Sequence, residues 1–162
     1  MLPEAVSKLI GQRGESRIHE VERGAIKRFA DAIDDPNPLY WDDEYANHSR
    51  YGSLIAPPGF FGWPIKMQRG LTFLPTGLPD IREGLASVGY ANPAPIDAGI
   101  EYEFFLPIHV GDRLVATSMY KDIIEREGKT GKMAFMIIET DYVNQNGDLV
   151  CRSRSTLIQL AR

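Results

Sequence analysis

Gly99-Ile-Glu-Tyr-Glu-Phe-Phe105 is the stretch on which the fold turns. Ile100, Tyr102 and Phe104 alternate with Glu101 and Glu103, the two-residue period of a strand with one apolar and one polar face. Three comparable stretches follow. Gly111-Asp112 turns into Arg113 to Ile124, Gly128 to Gly131 turns into Lys132 to Val143, and Asn146-Gly147 turns into Asp148 to Leu160. The Asn-Gly pair is a strong hairpin signal, because both central positions of a tight two-residue turn need positive φ. Short connections between successive strands predict an antiparallel meander.

Upstream the texture changes. Ser16 to Glu22 fits a first strand, with Ile18 and Val21 flanking polar positions. Gly24 to Ile33 predicts a helix, since Ile26, Phe29, Ala30 and Ile33 fall on one face. Asp34-Asp35-Pro36-Asn37-Pro38 stops it, because proline cannot continue a helix and disfavours helical angles before it. Asp42 to Ala46 adds a short helical turn. Ala56-Pro57-Pro58-Gly59 is a second stop and a new start, and Phe60 to Met67 is apolar almost all round, the pattern of a buried helix. Pro64 kinks that helix or marks its true start. A sheet needs its apolar face covered, and this helix is available to cover it. The expected architecture is α+β: one domain over residues 1–162, with a curved antiparallel sheet wrapped around a buried central helix, the hot-dog fold. Arg69 to Pro95 is rich in Gly and Pro yet carries Leu71, Phe73, Leu74, Leu78 and Ile81. Its length and content predict a partly helical excursion over a pocket or a partner.

Composition narrows the function. The 162 residues suffice for one domain with a core. Net charge is −4 with no basic stripe, which argues against a nucleic-acid partner. The longest apolar run, Met133 to Ile138, is far too short to span a bilayer. Met1 to Gly14 lacks the apolar core of a signal peptide, and the single Cys151 makes no internal disulfide, so a reducing cytoplasm is expected. His19, His48 and His109 are scattered without metal-ligand spacing.

Phe29-Ala-Asp-Ala-Ile-Asp-Asp-Pro-Asn-Pro-Leu-Tyr40 resembles the signature of R-specific enoyl-CoA hydratases and MaoC-like dehydratases. That signature runs aromatic, two residues, small aliphatic, small, Gly-Asp-x-Asn-Pro-aliphatic-His. Ile55-Ala-Pro-Pro-Gly-Phe-Phe61 resembles the start of the central helix in the same family, and Phe105-Leu-Pro-Ile-His-Val-Gly-Asp-Arg-Leu114 resembles the strand–turn–strand segment after it. The three stand in the family's order, within Glu22 to Leu160. The chain is most similar to the N-terminal, FAS1-type MaoC domains. The resemblance implies hydration or dehydration of an acyl thioester, with no metal or redox cofactor and with coenzyme A or a carrier-protein arm as part of the substrate. It assigns the aspartate of the catalytic pair to Asp35, the backbone N–H of the oxyanion donor to Gly59, and substrate contacts to Asn37, Pro58, Phe60 and Phe61. Two departures bear on the site: Asp34 replaces the signature's glycine, and Tyr40 replaces its histidine.

The second departure bears on chemistry. Hydrating a trans-2-enoyl thioester needs a base to activate water, a proton for Cα, and donors aimed at the thioester oxygen. A phenol of ordinary pKa, about 10, is a poor base at neutral pH, though it can orient water. Three readings follow. In the first the chain is an autonomous hydratase or dehydratase, with Asp35 as base and acid and Tyr40 orienting water. In the second it is an acyl-binding subunit beside a histidine-bearing MaoC-like partner that supplies the chemistry; the expected assembly is a homodimer or such a heterodimer. The third, a hot-dog thioesterase, wants a carboxylate on the central helix, and none lies between Ala56 and Gln68. His48 is a candidate stand-in imidazole, with a surface position as the plainer alternative. His19 and His109 read as surface residues, and Cys151 as buried and inert. Arg152 and Arg154 share a strand face that meets either solvent or coenzyme A phosphates. Asp34 to Pro38 also reads as nothing more than a helix-ending turn.

Overall fold

The alternation at Ile100, Tyr102 and Phe104 becomes β2 (Ile96–Phe104) in a computed structural model that describes residues 2–60, 77–90, 95–128 and 131–161. It joins β1 (Arg17–Glu20), β3 (Arg113–Gly128), β4 (Gly131–Val143) and β5 (Leu149–Leu160) in one antiparallel sheet of order β1-β3-β4-β5-β2. The meander expected from the short turns is β3-β4-β5, and β2 returns to pair with β5. This is the hot-dog sheet. Register shifts near Asp97, Tyr120 and Tyr142 mark bulges, which bend and twist a sheet. Around the sheet lie α1 (Glu4–Ser7), α2 (Arg23–Ala32), a 3-10 turn (Pro38–Tyr40), α3 (Asp43–His48) and α4 (Arg82–Ala86).

One face of the sheet carries the core, in two clusters. Val21, Ile26, Ala30, Tyr40, Ile55 and Phe60 pack with Leu114, Tyr142 and Cys151. Ile81 and Leu85 pack with Tyr120, Ile123, Met136 and Ile138. Ser118 and Thr140 lie buried on the same face, their hydroxyls 2.8 Å apart.

Several expectations are changed by the structure. Ile33, placed on the buried face of the first helix, is its C-cap and 47% exposed. The hairpin at Asn146-Gly147 forms with a different turn. Gly147 N–H bonds to the Asn144 carbonyl at 3.1 Å, and Gly147 alone has positive φ, +88°. The turn is therefore centred on Gln145-Asn146, with glycine absorbing the left-handed step that follows. On the apolar face of β2, Ile100 and Phe104 are 41% and 44% exposed, while Tyr102 between them packs against the core. Of the excursion from Arg69 to Pro95, residues 77–90 and Pro95 are described. They are partly helical, and Ile81 and Leu85 are core residues. The central helix expected from Phe60 to Met67 lies, beyond Phe60, outside the described residues, as does the candidate Phe61.

Candidate functional site

Asp35 owes its position to the way α2 ends. Asp34 N–H bonds to the Asp31 carbonyl at 3.0 Å and Asp35 N–H to the Ala30 carbonyl at 2.9 Å. This pair of bonds is the Schellman motif, which needs a left-handed residue at the first position past the cap. Asp34 fills it at φ +54° and is the one non-glycine residue with positive φ among the described residues. The glycine of the signature is thus replaced by one of the few side chains that tolerate this conformation. The backbone path is kept.

Beyond it, Asp35 is held at both ends. One carboxylate oxygen accepts the Asn37 N–H at 3.1 Å, and its carbonyl accepts the Trp41 indole N–H at 2.8 Å. Asn37 in turn accepts the Leu39 N–H through its side chain at 3.1 Å, capping the 3-10 turn. The structure thus gives the Asn37 side-chain oxygen a local structural partner. The other side of Asp35 faces a shallow hollow of 310 Å³ lined by Ala30, Asp31, Asp34, Pro36 and Trp41.

Tyr40 is 7% exposed and packs in the core cluster with Ile26 and Ile55. Burial, then the negative charge of Asp35, then Tyr51 push its phenol above the ordinary value. It is a neutral donor at physiological pH. Gly59 lies in the turn Pro57–Phe60, closed by Phe60 N–H to the Pro57 carbonyl at 3.2 Å. Its φ of +85° requires glycine. Crowding does not, since an added Cβ would meet only Phe29 Cζ at 3.9 Å. Pro58 is exposed, whereas Phe60 is 4% exposed and meets Phe29 edge-to-face at 5.8 Å. That ring contact, with Ile55 N–H to the Leu39 carbonyl at 3.2 Å, clamps the Gly59 turn to the Asp35 turn. Asp35, Tyr40 and Gly59 therefore belong to one neighbourhood.

His48 is placed elsewhere. It is exposed in the last turn of α3, with Nδ1 2.7 Å from the Glu44 carbonyl of its own helix. The remaining histidines are less superficial than expected. His109 Nδ1 lies 2.8 Å from Ser53 Oγ, and its N–H bonds to Asp112 at 2.8 Å. His19 Nε2 is buried and unpaired, and burial, then Arg17, lower its pKa. Cys151 is fully buried, and burial, then Glu103, push its thiol up to about 12. Sequence reasoning missed the Trp41 clamp, whose only signal is an indole six residues after an aspartate.

Arg152 and Arg154 lie partly exposed on the outer face of the sheet, and both are ion-paired. Arg152 Nε donates to Asp141 at 2.6 Å and Arg154 Nε to Glu139 at 2.7 Å. Burial raises both carboxyls, but these arginines with Arg13 and Lys121 outweigh it and hold both below the ordinary range. Guanidinium groups so engaged are poorly placed to take phosphates. Among the described residues no group of His, Cys, Asp and Glu is arranged to hold a metal, and no helix is long and apolar enough to cross a membrane.

Residues 8–153 match the family model described as FAS1-like, dehydratase domain region. A UPF0336 protein of Saccharopolyspora erythraea is 29% identical over 140 residues, covering 86% of this chain and 81% of that protein. The MaoC-like dehydratase of Rhodospirillum rubrum superposes with a TM-score of 0.67 at 28% identity, covering 94% of this chain and 93% of that one. A chain of the ChsH1–ChsH2 complex of Mycobacterium tuberculosis superposes with a TM-score of 0.80. At 18% identity over 98% of this chain and 95% of that one, the likeness is one of fold.

Proposed function

This chain belongs to the family of FAS1-like dehydratase domain regions, and from that premise we propose that it is the acyl-thioester-binding subunit of a MaoC-type hydratase or dehydratase. A second chain of the same fold supplies the imidazole. The observation that carries this reading is Tyr40. Where the signature has histidine stands a buried phenol with a raised pKa, which cannot take a proton from water near neutral pH. Addition of water to the enoyl group needs a proton taken from water as its oxygen attacks Cβ, and a proton given to Cα. Asp35 alone would have to do both. The ChsH1–ChsH2 structure, whose fold this chain shares, is a complex of two partners. The substrate carries coenzyme A or a carrier-protein arm, and the reaction calls for no metal or redox group.

A second reading has an observation of its own. Asp35 is oriented by the Asn37 N–H, and the Gly59 N–H makes no hydrogen bond to a described residue. An autonomous hydratase would use Asp35 as base and then acid, Tyr40 to orient water, and Gly59 N–H for the enolate oxygen.

The test is hydration of a panel of trans-2-enoyl-CoA thioesters by the chain purified alone, beside Asp35→Asn. The subunit reading expects binding without turnover. Turnover that disappears in Asp35→Asn overturns it in favour of the second reading. Failure to bind any thioester overturns both.

A further inference from the structure

Phe105 to Leu114, the third stretch that carries the resemblance, holds the extended chain that leads into Gly59. Leu54 to Ala56 run antiparallel to Ile108 to Val110. Ala56 N–H bonds to the Ile108 carbonyl at 2.8 Å and Val110 N–H to the Leu54 carbonyl at 2.9 Å, on either side of the bridge between Ile55 and His109. This short ladder lies outside the five-stranded sheet. Two short strands on their own are marginally stable, so their backbone bonds alone fix the Gly59 segment weakly. One side-chain hydrogen bond crosses the ladder. Ser53 Oγ lies 2.8 Å from His109 Nδ1, and both residues are half-buried. Ser53 and Ile55 point to the same side of extended chain. Ile55 stands opposite His109, so hydroxyl and imidazole meet on one side of the ladder.

His109 is itself held. Its backbone N–H bonds to Asp112 Oδ2 at 2.8 Å, and its carbonyl accepts the Asp112 N–H at 3.1 Å. Asp112 is 7% exposed, and its other carboxylate oxygen accepts the Gln145 side-chain amide at 3.0 Å. Gln145 Oε1 accepts the Arg113 N–H at the start of β3, also at 3.0 Å. A buried carboxylate thus spends both oxygens on fixing the His109 loop to the turn between β4 and β5. From there the connection runs through the imidazole to Ser53. Beyond Ser53 the chain passes Ile55, whose N–H sits on the Leu39 carbonyl, and enters the Gly59 turn.

We infer that His109 is a positioning residue: through Ser53 it fixes the Gly59 backbone N–H where the carbonyl oxygen of a bound acyl thioester meets it. This rests on the reading of Gly59 as the oxyanion donor of a thioester-binding chain. Placement matters because such a donor serves the oxygen only over roughly 2.7–3.1 Å, so a small slide of the segment is felt in affinity.

The test compares His109→Phe, His109→Asn and Ser53→Ala with wild type for binding of a trans-2-enoyl-CoA thioester by titration calorimetry, with urea unfolding to show that each folds. Phenylalanine fills the place of the imidazole without a polar atom. Asparagine sets an amide atom where Nδ1 stood, able to donate or accept. His109→Phe and Ser53→Ala are each expected to weaken binding about three- to tenfold, the size of one lost hydrogen bond, and the double variant no further. His109→Asn is expected to stay within about twofold of wild type. Unchanged affinity in folded His109→Phe and Ser53→Ala, or an equal loss in His109→Asn, overturns the inference. Should His109→Phe not fold, Ser53→Ala removes the same bond by a smaller change and decides.

Amide hydrogen exchange separates this inference from the thioester reading. Breaking the bond is expected to speed exchange at Ala56 and Val110 at least about threefold, with the β3–β4 amides unchanged. Equal exchange in variant and wild type overturns the inference whether or not a thioester binds. A wild type that binds no thioester, while His109→Phe still loosens Ala56 and Val110, overturns the thioester reading but not the latch.

Discussion

Replacing Asp34 by glycine, asparagine, alanine and valine in turn tests whether its left-handed conformation is what α2 needs to end where it does. At φ +54° an ordinary L-residue costs about 1–2 kcal/mol. Aspartate lowers that cost by local hydrogen bonding, and glycine removes it while giving back about 0.5–1 kcal/mol through the freedom of the unfolded chain. Asp34→Gly is therefore expected to stabilise by about 0.5 kcal/mol, and Asp34→Ala to destabilise by about 0.5–1 kcal/mol. Asp34→Val should lose about 2 kcal/mol, because a β-branched residue tolerates this region worst. Asp34→Asn removes the charge beside Asp31 and Asp35 but keeps the conformational tolerance, so it separates electrostatics from backbone and should change stability by only a few tenths. Equilibrium urea unfolding at neutral pH gives each value from the midpoint at unchanged slope. For a chain of this size each kcal/mol also moves the melting temperature by about 2–4 °C. A valine variant as stable as the parent, or a glycine variant less stable by 1 kcal/mol or more, would refute the assignment of strain to this position.

Other outcomes follow from the same structure. Glu139 and Asp141 have folded-state pKa values below their unfolded ones. Their contribution is complete above the unfolded carboxylate range and is lost as pH falls through the folded values, so stability should drop below about pH 4, and Glu139→Gln should flatten that slope in acid-unfolding curves. Gly14→Ala would put a Cβ 2.3 Å from the Gly77 carbonyl oxygen, which already accepts the Glu15 N–H at 2.9 Å. It should cost about 2–3 kcal/mol in thermal unfolding through crowding, whereas Gly11→Ala, where nothing lies within 4 Å, should cost only the strain of its φ of +80°, about 1–2 kcal/mol. Cys151 should react with a thiol-specific probe only as the protein unfolds, and labelling in native buffer within minutes would contradict its burial.

The sequence made the sheet legible because period-two alternation and Gly-containing turns are local signals. The Asp35 turn was legible for a similar reason, since two prolines and an asparagine constrain the backbone wherever they occur. The exposure of β2 was not. Alternation at Ile100, Tyr102 and Phe104 reports that a strand has an apolar face, but not whether the same chain covers it. The conformation of Asp34 was visible only through the glycine that the resemblance places there, because an aspartate after a helix fits many turns. Nor could the sequence pair Arg152 with Asp141 or Arg154 with Glu139, since each pair bridges two strands and depends on register. His19 shows the same limit from the other side: in a short strand reading as exposed, its imidazole turns inward beside Leu114, its register partner on β3.

The strand order also governs when the sheet can form. β3, β4 and β5 follow one another through short turns, so their pairing closes small loops. By contrast, Ile96 must wait for Ile158, and Arg17 pairs with Ala116 across most of the chain. Contacts so distant in sequence form slowly, because loop closure precedes any stabilisation they bring. During synthesis β2 therefore leaves the ribosome before β5, its neighbour in the sheet, exists. Its backbone edges remain unpaired until the last strand arrives, and in that interval the two glutamates on one face work against aggregation of nascent chains.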